Sequence, residues 1–77
     1  MKKMVIAIHG INDLNQFIHH ARTVDGDIVV SRGKFAVDGK SIMGVFSIDV
    51  SQGCTVEYPT DATDFENFIS QFKEGQG

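Results

Sequence analysis

The sequence contains one cysteine, one proline and no tryptophan among its 77 residues. The single cysteine, Cys54, excludes an internal disulfide and a zinc site built on cysteines, which is typical of a protein in a reducing compartment. Basic residues are also scarce, because seven Lys and Arg stand against ten Asp and Glu, for a net charge of -3. Proteins bind phosphate backbones through basic faces, so we expect no nucleic-acid partner.

Long apolar runs are missing as well. The apolar stretch near the N-terminus, residues 4–8, is far shorter than the roughly 18 residues that suggest a membrane span, and polar residues follow it at once. We therefore expect a cytoplasmic protein with no membrane contact. Apolar residues still make up 42% of the chain, which is enough for a folded core. A chain of this length fits one domain, residues 1–77.

Three segments have features of helices. Apolar spacing predicts an amphipathic helix over residues 13–23, with Asn12 or Asp13 at its N-cap. It predicts another over residues 63–73, where Thr63 and Glu66 have the spacing of a capping box. Between them, Ser41 is suited to cap a short helix over residues 41–47. The apolar positions of the two longer helices that we expect to be buried are Phe17, Ile18, Phe65, Phe68, Ile69 and Phe72.

Four segments have the length and composition of strands. In the last of them Cys54, Val56 and Tyr58 alternate with polar residues, so these three should face the core. Arg32 and Gly33 should form the turn of a hairpin. The order βαββαβα predicts an α+β fold, a four-stranded antiparallel sheet with three helices on one face. The predicted strands are residues 3–8, 28–31, 34–37 and 53–58.

Residue types that could carry chemistry are present but poorly placed for it. His19 and His20 are adjacent on a helix and point about 100° apart, so they cannot bind one metal ion from one face. His9 stands alone in a loop, and no serine, histidine and acid have the sequence context of a nucleophilic triad. Cys54 is more typical of a small buried hydrophobe than of a nucleophile. We expect no enzyme, no metal site and no cofactor.

One segment is distinctive. The run Gly-Lys-Ser-Ile-Met-Gly-Val at residues 39–45, followed by Ser47, Ile48 and Gly53, resembles the regulatory-serine segment of HPr. HPr is the histidine-containing phosphocarrier of the bacterial sugar phosphotransferase system. Residues 40–72 resemble the C-terminal half of HPr without a gap. The resemblance implies the HPr fold, an open-faced β-sandwich.

The resemblance also implies a function. It makes Ser41 a regulatory phosphorylation site for HPr kinase, in a protein linked to catabolite repression. It further implies a surface that binds proteins of the phosphotransferase system or a transcriptional regulator. The residues that it assigns to this partner-binding surface are Lys40, Ile42, Met43, Phe46 and Ile48.

The segment before the first helix departs from the family pattern. HPr accepts a phosphoryl group on a histidine within an Ile/Leu-His-x-Arg-Pro-Ala segment, whereas residues 8–14 read Ile-His-Gly-Ile-Asn-Asp-Leu. The two arginines of the chain, Arg22 and Arg32, both lie elsewhere, so His9 has no neighbouring guanidinium for a phosphoryl group. Asp13 should compete for the amides at the helix start.

These residues leave three hypotheses. The first is a regulatory or adaptor protein that docks through the Ser41 helix. The second is a true phosphocarrier that uses His9, and the third is an orphan binding module with the HPr fold. The loop after the first strand is shorter than in HPr, and short hinges favour exchange of an end element. We therefore expect a monomer or a strand-swapped dimer.

Overall fold

The structure, a computed structural model, describes residues 1–73 of the chain. None of the helices in this part of the chain is long and apolar enough to cross a membrane. The helices and strands are β1 Lys2–Ile6, α1 Ile11–Arg22, β2 Val29–Arg32, β3 Phe35–Asp38, α2 Ile42–Ser47, β4 Cys54–Tyr58 and α3 Thr63–Ile69, with 3₁₀ turns at Val50–Gln52 and Ser70–Phe72.

The four strands form one antiparallel sheet in the order β1-β4-β2-β3. Cys54, Val56 and Tyr58 of β4 are buried, while Thr55 and Glu57 between them are half-buried. This alternation arises because successive side chains of a strand point to opposite faces, and here one face carries the helices. The predicted α+β fold, with a four-stranded antiparallel sheet and three helices, is confirmed.

The first strand is shorter than predicted. β1 ends at Ile6, but Ala7 and Ile8 continue as buried chain. The amide of Ala7 donates to the carbonyl of Phe72 at 3.0 Å, and that of Ile8 to the carbonyl of Val50 at 3.1 Å. Only the second half of the apolar run is therefore buried, since Val5 is 53% exposed. The amides of its last two residues bond to the two 3₁₀ turns and not to β4.

Aromatic packing joins the long helices to the sheet. The ring of Phe65 lies 5.7 Å from that of Phe17 and 5.9 Å from that of Tyr58, centroid to centroid. The predicted burial of Phe17, Ile18, Phe65 and Ile69 is confirmed.

Two further phenylalanines, Phe68 and Phe72, were predicted to be buried and are only half-buried. α3 ends at Ile69, and the tighter 3₁₀ turn that follows changes the direction of Phe72. Phe68 lies at the margin of the core, where its ring stacks on that of His20 at 3.6 Å.

The start of α1 also differs from the prediction. The helix begins at Ile11, two residues early, and its N-cap is Gly10, which has a φ of 87° and no side chain to cap with. Asn12 and Asp13 therefore lie inside the first turn, where neither acts as the cap. A positive φ at this point favours glycine, because a Cβ there is strained.

The predicted hairpin turn is shifted by one residue. Arg32 pairs with Phe35, so the two residues of the turn are Gly33 and Lys34. Gly33 has a φ of 60°, which suits the two-residue turns that match the twist of antiparallel strands.

The predicted capping box of α3 is wrong. Ala62 is the N-cap and makes no side-chain hydrogen bond, and Thr63 is the first helical residue. The carboxylate of Glu66 instead accepts a hydrogen bond from the hydroxyl of Tyr58 at 2.7 Å and pairs with the ammonium of Lys2 at 3.2 Å. These contacts join α3 to both β4 and β1, and a hydroxyl and a cation hold the carboxylate away from the helix start.

The same contacts shift two acid–base equilibria. Burial, followed by the hydrogen bond and the negative charge of Glu66, raises the pKa of Tyr58 to about 12. The hydrogen bond from Tyr58 and the interaction with Lys2 lower the pKa of Glu66. Ionised Glu66 therefore stabilises the folded protein at pH values above its ordinary pKa. This contribution is lost as the pH falls through the lowered pKa that Glu66 has in the folded protein.

We expect Phe17→Ala to lower the free energy of unfolding by about 3–5 kcal/mol, because it leaves a cavity in a small core. Phe68→Ala should cost less, since Phe68 is only half-buried. Phe46→Ala is the control, because Phe46 is 66% exposed and its removal should change stability by no more than about 0.5 kcal/mol. Urea titration measures all three, with Phe17→Leu as a milder variant should Phe17→Ala fail to fold. Equal costs for Phe17 and Phe46 would contradict this core.

The chain has one tyrosine and no tryptophan, so absorbance at 295 nm reports the ionisation of Tyr58 alone. We expect a midpoint near pH 12, against an ordinary pKa of 10.0. Glu66→Gln should lower the midpoint without returning it to 10.0, because burial remains the largest cause. Circular dichroism at each pH confirms that the protein is folded. A midpoint near 10.0 in the folded wild-type protein would show that the phenol is not buried against Glu66.

Candidate functional site

The short helix α2 depends on its N-cap. Ser41 is extended, with a φ of -104° and a ψ of 113°, and its Oγ accepts the amide hydrogen of Gly44 at 3.2 Å. The carbonyl of Ser41 accepts from the amide of Val45 at 3.0 Å. Glycine and β-branched residues give α2 a low intrinsic helix propensity, so the cap and tertiary packing must stabilise it. The predicted cap role of Ser41 is confirmed.

Packing fixes α2 on the sheet. Val45 is fully buried, and the helix lies so close to β3 that a Cβ on Gly44 would be 3.3 Å from the Cβ of Val37 and 3.4 Å from the Oγ of Ser41. A side chain at position 44 would therefore crowd both the sheet and the capping hydroxyl. Glycine here allows α2 to approach the sheet and keeps space around the hydroxyl.

Two of the other apolar residues of α2 face outward, while Ile42 packs partly against the core. Met43 is 79% exposed, Phe46 is 66% exposed and Ile42 is half-buried. A contiguous apolar surface of this kind is typical of an interaction site. We define the Ser41 patch as Ser41, Ile42, Met43 and Phe46.

Two residues predicted for partner binding lie in other environments. Ile48 is only 8% exposed and packs in the core, because α2 ends at Ser47 and the following turn points Ile48 inward. Lys40 is half-buried, and its Nζ donates to the carbonyl of Val24 at 2.7 Å. The carbonyl of Lys40 also accepts from Nε of Arg22 at 3.1 Å. The charge of Lys40 is thus directed to the end of α1 and not toward the Ser41 patch.

His9 is exposed and precedes Gly10, the N-cap of α1. No side chain caps this end of α1, so the predicted competition from a capping Asp13 carboxylate is wrong. The charge of Asp13 nevertheless lies in the first turn, where it opposes the approach of an anion. Arg22 is at the other end of the same helix, about 16 Å away along its axis. Arg32 is on β2, about 10 Å from β1 across the sheet.

A groove that the sequence did not reveal lies between the start of α1 and the end of α2. It has a volume of about 230 Å³, and Ile11, Leu14, Phe46 and Val50 are among its lining residues. Ile11 is 55% exposed. Sequence analysis missed Ile11 because it placed the helix start two residues later, although Ile11 continues the apolar stripe three residues before Leu14. The groove extends the apolar surface of the Ser41 patch toward α1.

The other residues considered for chemistry are far less suited to it. Burial raises the pKa of the Cys54 thiol to about 11, with Arg32 partly opposing this shift, so the thiol is protonated and unreactive at neutral pH. Nδ1 of His20 lies 2.9 Å from the carbonyl of Gln16. Within residues 1–73 no three His, Cys, Asp or Glu side chains come together as a metal site.

The fold and the site together define a class. An antiparallel sheet of order β1-β4-β2-β3 carries three helices, and the short serine-capped helix α2 lies beside the edge strand β3. A sequence model of a family described as the PTS HPr component phosphorylation site matches residues 14–74. The chain belongs to the HPr family. The match begins at Leu14 and so leaves out the segment that contains His9.

Solved structures agree with this assignment. The chain is similar to HPr-C-His from Thermoanaerobacter tengcongensis, with 25% identity, a TM-score of 0.75 and coverage of 92% of this chain and 93% of that one. It also has the fold of the phosphocarrier protein HPr from Bacillus anthracis str. Ames, with 20% identity, a TM-score of 0.67 and coverage of 95% and 94%. A search of curated proteins gave no significant match.

Proposed function

We propose that this HPr family member is a regulatory or adaptor protein that docks partners through the Ser41 patch and carries a phosphoryl group on Ser41. The observation that supports this most is the placement of a capping hydroxyl beside Met43 and Phe46, which are 79% and 66% exposed. In this proposal the protein has no chemistry of its own and acts in the bacterial cytoplasm, in catabolite repression. Its partners are HPr kinase and either phosphotransferase-system proteins or a transcriptional regulator.

The cap geometry suits a phosphoryl group. Phosphorylation adds about -1.5 to -2 charge, and the N-terminus of a helix favours negative charge. The amide of Gly44 already donates to the Ser41 hydroxyl, so a phosphoryl oxygen can accept from the same helix end. The fold should therefore tolerate the modification.

The main effect of phosphorylation is on partner choice. An anion beside Met43 and Phe46 disfavours a purely apolar partner surface and favours one that offers arginine, which binds phosphate with two parallel hydrogen bonds. Lys40 does not neutralise this charge inside the protein, because its ammonium is bonded to the carbonyl of Val24. The charge is thus available to a partner.

The alternative of a true phosphocarrier that uses His9 has less support. A phosphohistidine is held by a helix N-terminus and by arginine donors. The N-terminus of α1 is close in sequence to His9, but no hydrogen bond or ion pair joins an arginine to His9 in the described part of the chain. The third reading, an orphan binding module, keeps the HPr fold but has lost both the histidine and the serine site, so it would bind through a surface yet to be identified.

With HPr kinase and ATP, we expect the wild-type protein to gain one phosphoryl group, as measured by intact mass, and Ser41→Ala to gain none. Ser47→Ala is the matched control, since Ser47 lies in the same helix and bonds the carbonyl of Gly44; it should be phosphorylated like the wild type. Loss of the cap in Ser41→Ala should cost about 1 kcal/mol, so circular dichroism must confirm that this variant is folded. Uptake by folded Ser41→Ala, or none by the wild type, would contradict phosphorylation at Ser41.

With phosphoenolpyruvate and the general enzyme of the phosphotransferase system, we expect no acid-labile phosphate on this protein. The physical reasons are the lack of an arginine partner for His9 and the negative charge of Asp13 in the first turn of α1. Intact mass provides the readout, with a known HPr as the positive control. A gain of one phosphoryl group that His9→Ala abolishes would make the phosphocarrier hypothesis the better one.

A further inference from the structure

The sheet ends in an open edge. β3 is the outermost strand of the order β1-β4-β2-β3, and Phe35, its first residue, is 69% exposed. The strand contains no proline, and edge strands of this kind readily pair with another strand. The β3 edge adjoins the Ser41 patch but shares no residue with it, so the argument does not rest on the proposed function.

The contacts at the two ends of β3 determine which of its backbone groups bond to β2 and which point to solvent. Arg32 and Phe35 close the two-residue turn, and after β3 the amide of Gly39 donates to the carbonyl of Ile28. Bonded and non-bonded pairs alternate along an antiparallel ladder. Phe35, Val37 and Gly39 therefore bond toward β2, while the backbone groups of Ala36 and the amide of Asp38 point outward to solvent.

We propose that two copies of this chain associate through their β3 strands, antiparallel and edge to edge, about a two-fold axis at Ala36. In this register the amide of each Ala36 donates to the carbonyl of the other Ala36. The amide of Asp38 donates to the carbonyl of Lys34 in the second copy. The donors of all four bonds and the carbonyl of Ala36 are groups that the alternation directs away from β2, and the carbonyl of Lys34 lies in the turn directly before β3.

Charge complementarity selects a second copy and this register. Lys34 of each copy lies opposite Asp38 of the other, so the pairing creates two ion pairs, each between a lysine and an aspartate. A shift of the axis by one residue in either direction leaves Lys34 and Asp38 without an opposite charge across the strands. One oxygen of the Asp38 carboxylate accepts from the amide of Lys40 at 3.0 Å, which orients the group while its other oxygen remains available.

The apolar contacts agree with the same register. Phe35 lies opposite Val37 of the second copy, and aromatic side chains pair favourably with β-branched ones across strands. In the single chain Phe35 is exposed and Val37 is half-buried. The interface is small, so we expect a reversible dimer that forms at high protein concentration and weakens in salt.

Cysteine cross-linking tests the register. Opposite residues of a bonded pair have Cα atoms about 5.5 Å apart, within the range of a disulfide. Under mild oxidation, Ala36→Cys should couple to itself. Lys34→Cys alone should not, but a mixture of Lys34→Cys with Asp38→Cys should give the mixed dimer. Cys54 is buried, so the wild-type protein is the unreactive control.

Charge reversal tests the complementarity by sedimentation equilibrium. Lys34→Glu and Asp38→Lys should each weaken self-association about tenfold, because both ion pairs become repulsive. An equimolar mixture of the two variants should recover association, since every pair across the strands then has opposite signs. Ala36→Pro removes the central donor and should abolish the dimer.

Three results would overturn the proposal. One is a wild-type monomer up to about 1 mM, the concentration range of weak complexes, with no self-coupling of Ala36→Cys; this would leave β3 to a strand of another protein. The second is equal coupling of Lys34→Cys and Ala36→Cys. The third is a dimer that the charge variants and Ala36→Pro do not weaken, as exchange of β1 between copies would give.

Discussion

The hydrogen bond from the Gly44 amide to the Ser41 hydroxyl, 3.2 Å long, is the contact on which the Ser41 patch depends. α2 has six residues, a low helix propensity and one fully buried side chain, Val45. A helix of this length is not stable without its cap and its packing. The cap holds the helix start, and the absence of a side chain at Gly44 lets the helix lie on β3. Met43 and Phe46 are exposed because so short a helix can bury only one face.

In the proposed function the same contact connects stability to regulation. A hydroxyl that serves as a cap is already in contact with the helix amides, so a phosphoryl group added there meets donors that are in place. Under this proposal the added charge acts on the adjacent apolar surface and not on the core. The groove beside Ile11 and Phe46 enlarges this surface toward the segment that departs from the HPr pattern, residues 8–14, and its lining is mainly apolar.

Local sequence signals predicted most of the fold. The spacing of Phe17 and Ile18, the alternation of Cys54, Val56 and Tyr58, and the cap at Ser41 depend on neighbours along the chain, and the structure confirms them. These signals also supported the family assignment, since the regulatory-serine segment is local.

Long-range contacts and backbone conformation account for what the sequence did not predict. Glu66 has the right spacing for a capping box, but Tyr58 and Lys2 are distant in sequence and bind its carboxylate. Gly10 starts α1 through a positive φ and not through a capping side chain. The resemblance assigned Ile48 to the partner-binding surface, but this residue follows the end of α2 and turns into the core. Lys40 matched the family motif, although only the fold places its ammonium on the carbonyl of Val24.

The most direct test of the central claim compares ¹H–¹⁵N spectra of the wild-type chain and of the chain with phosphoserine incorporated at position 41. If the cap accepts the phosphoryl group, the largest shifts are confined to α2, and the amide of Gly44 moves downfield because it bonds a stronger acceptor. The amides of α1, α3 and the sheet keep their positions. Collapse of the α2 amides to random-coil shifts, or changes spread across the sheet, would show that the phosphoryl group disrupts α2, which would contradict the account.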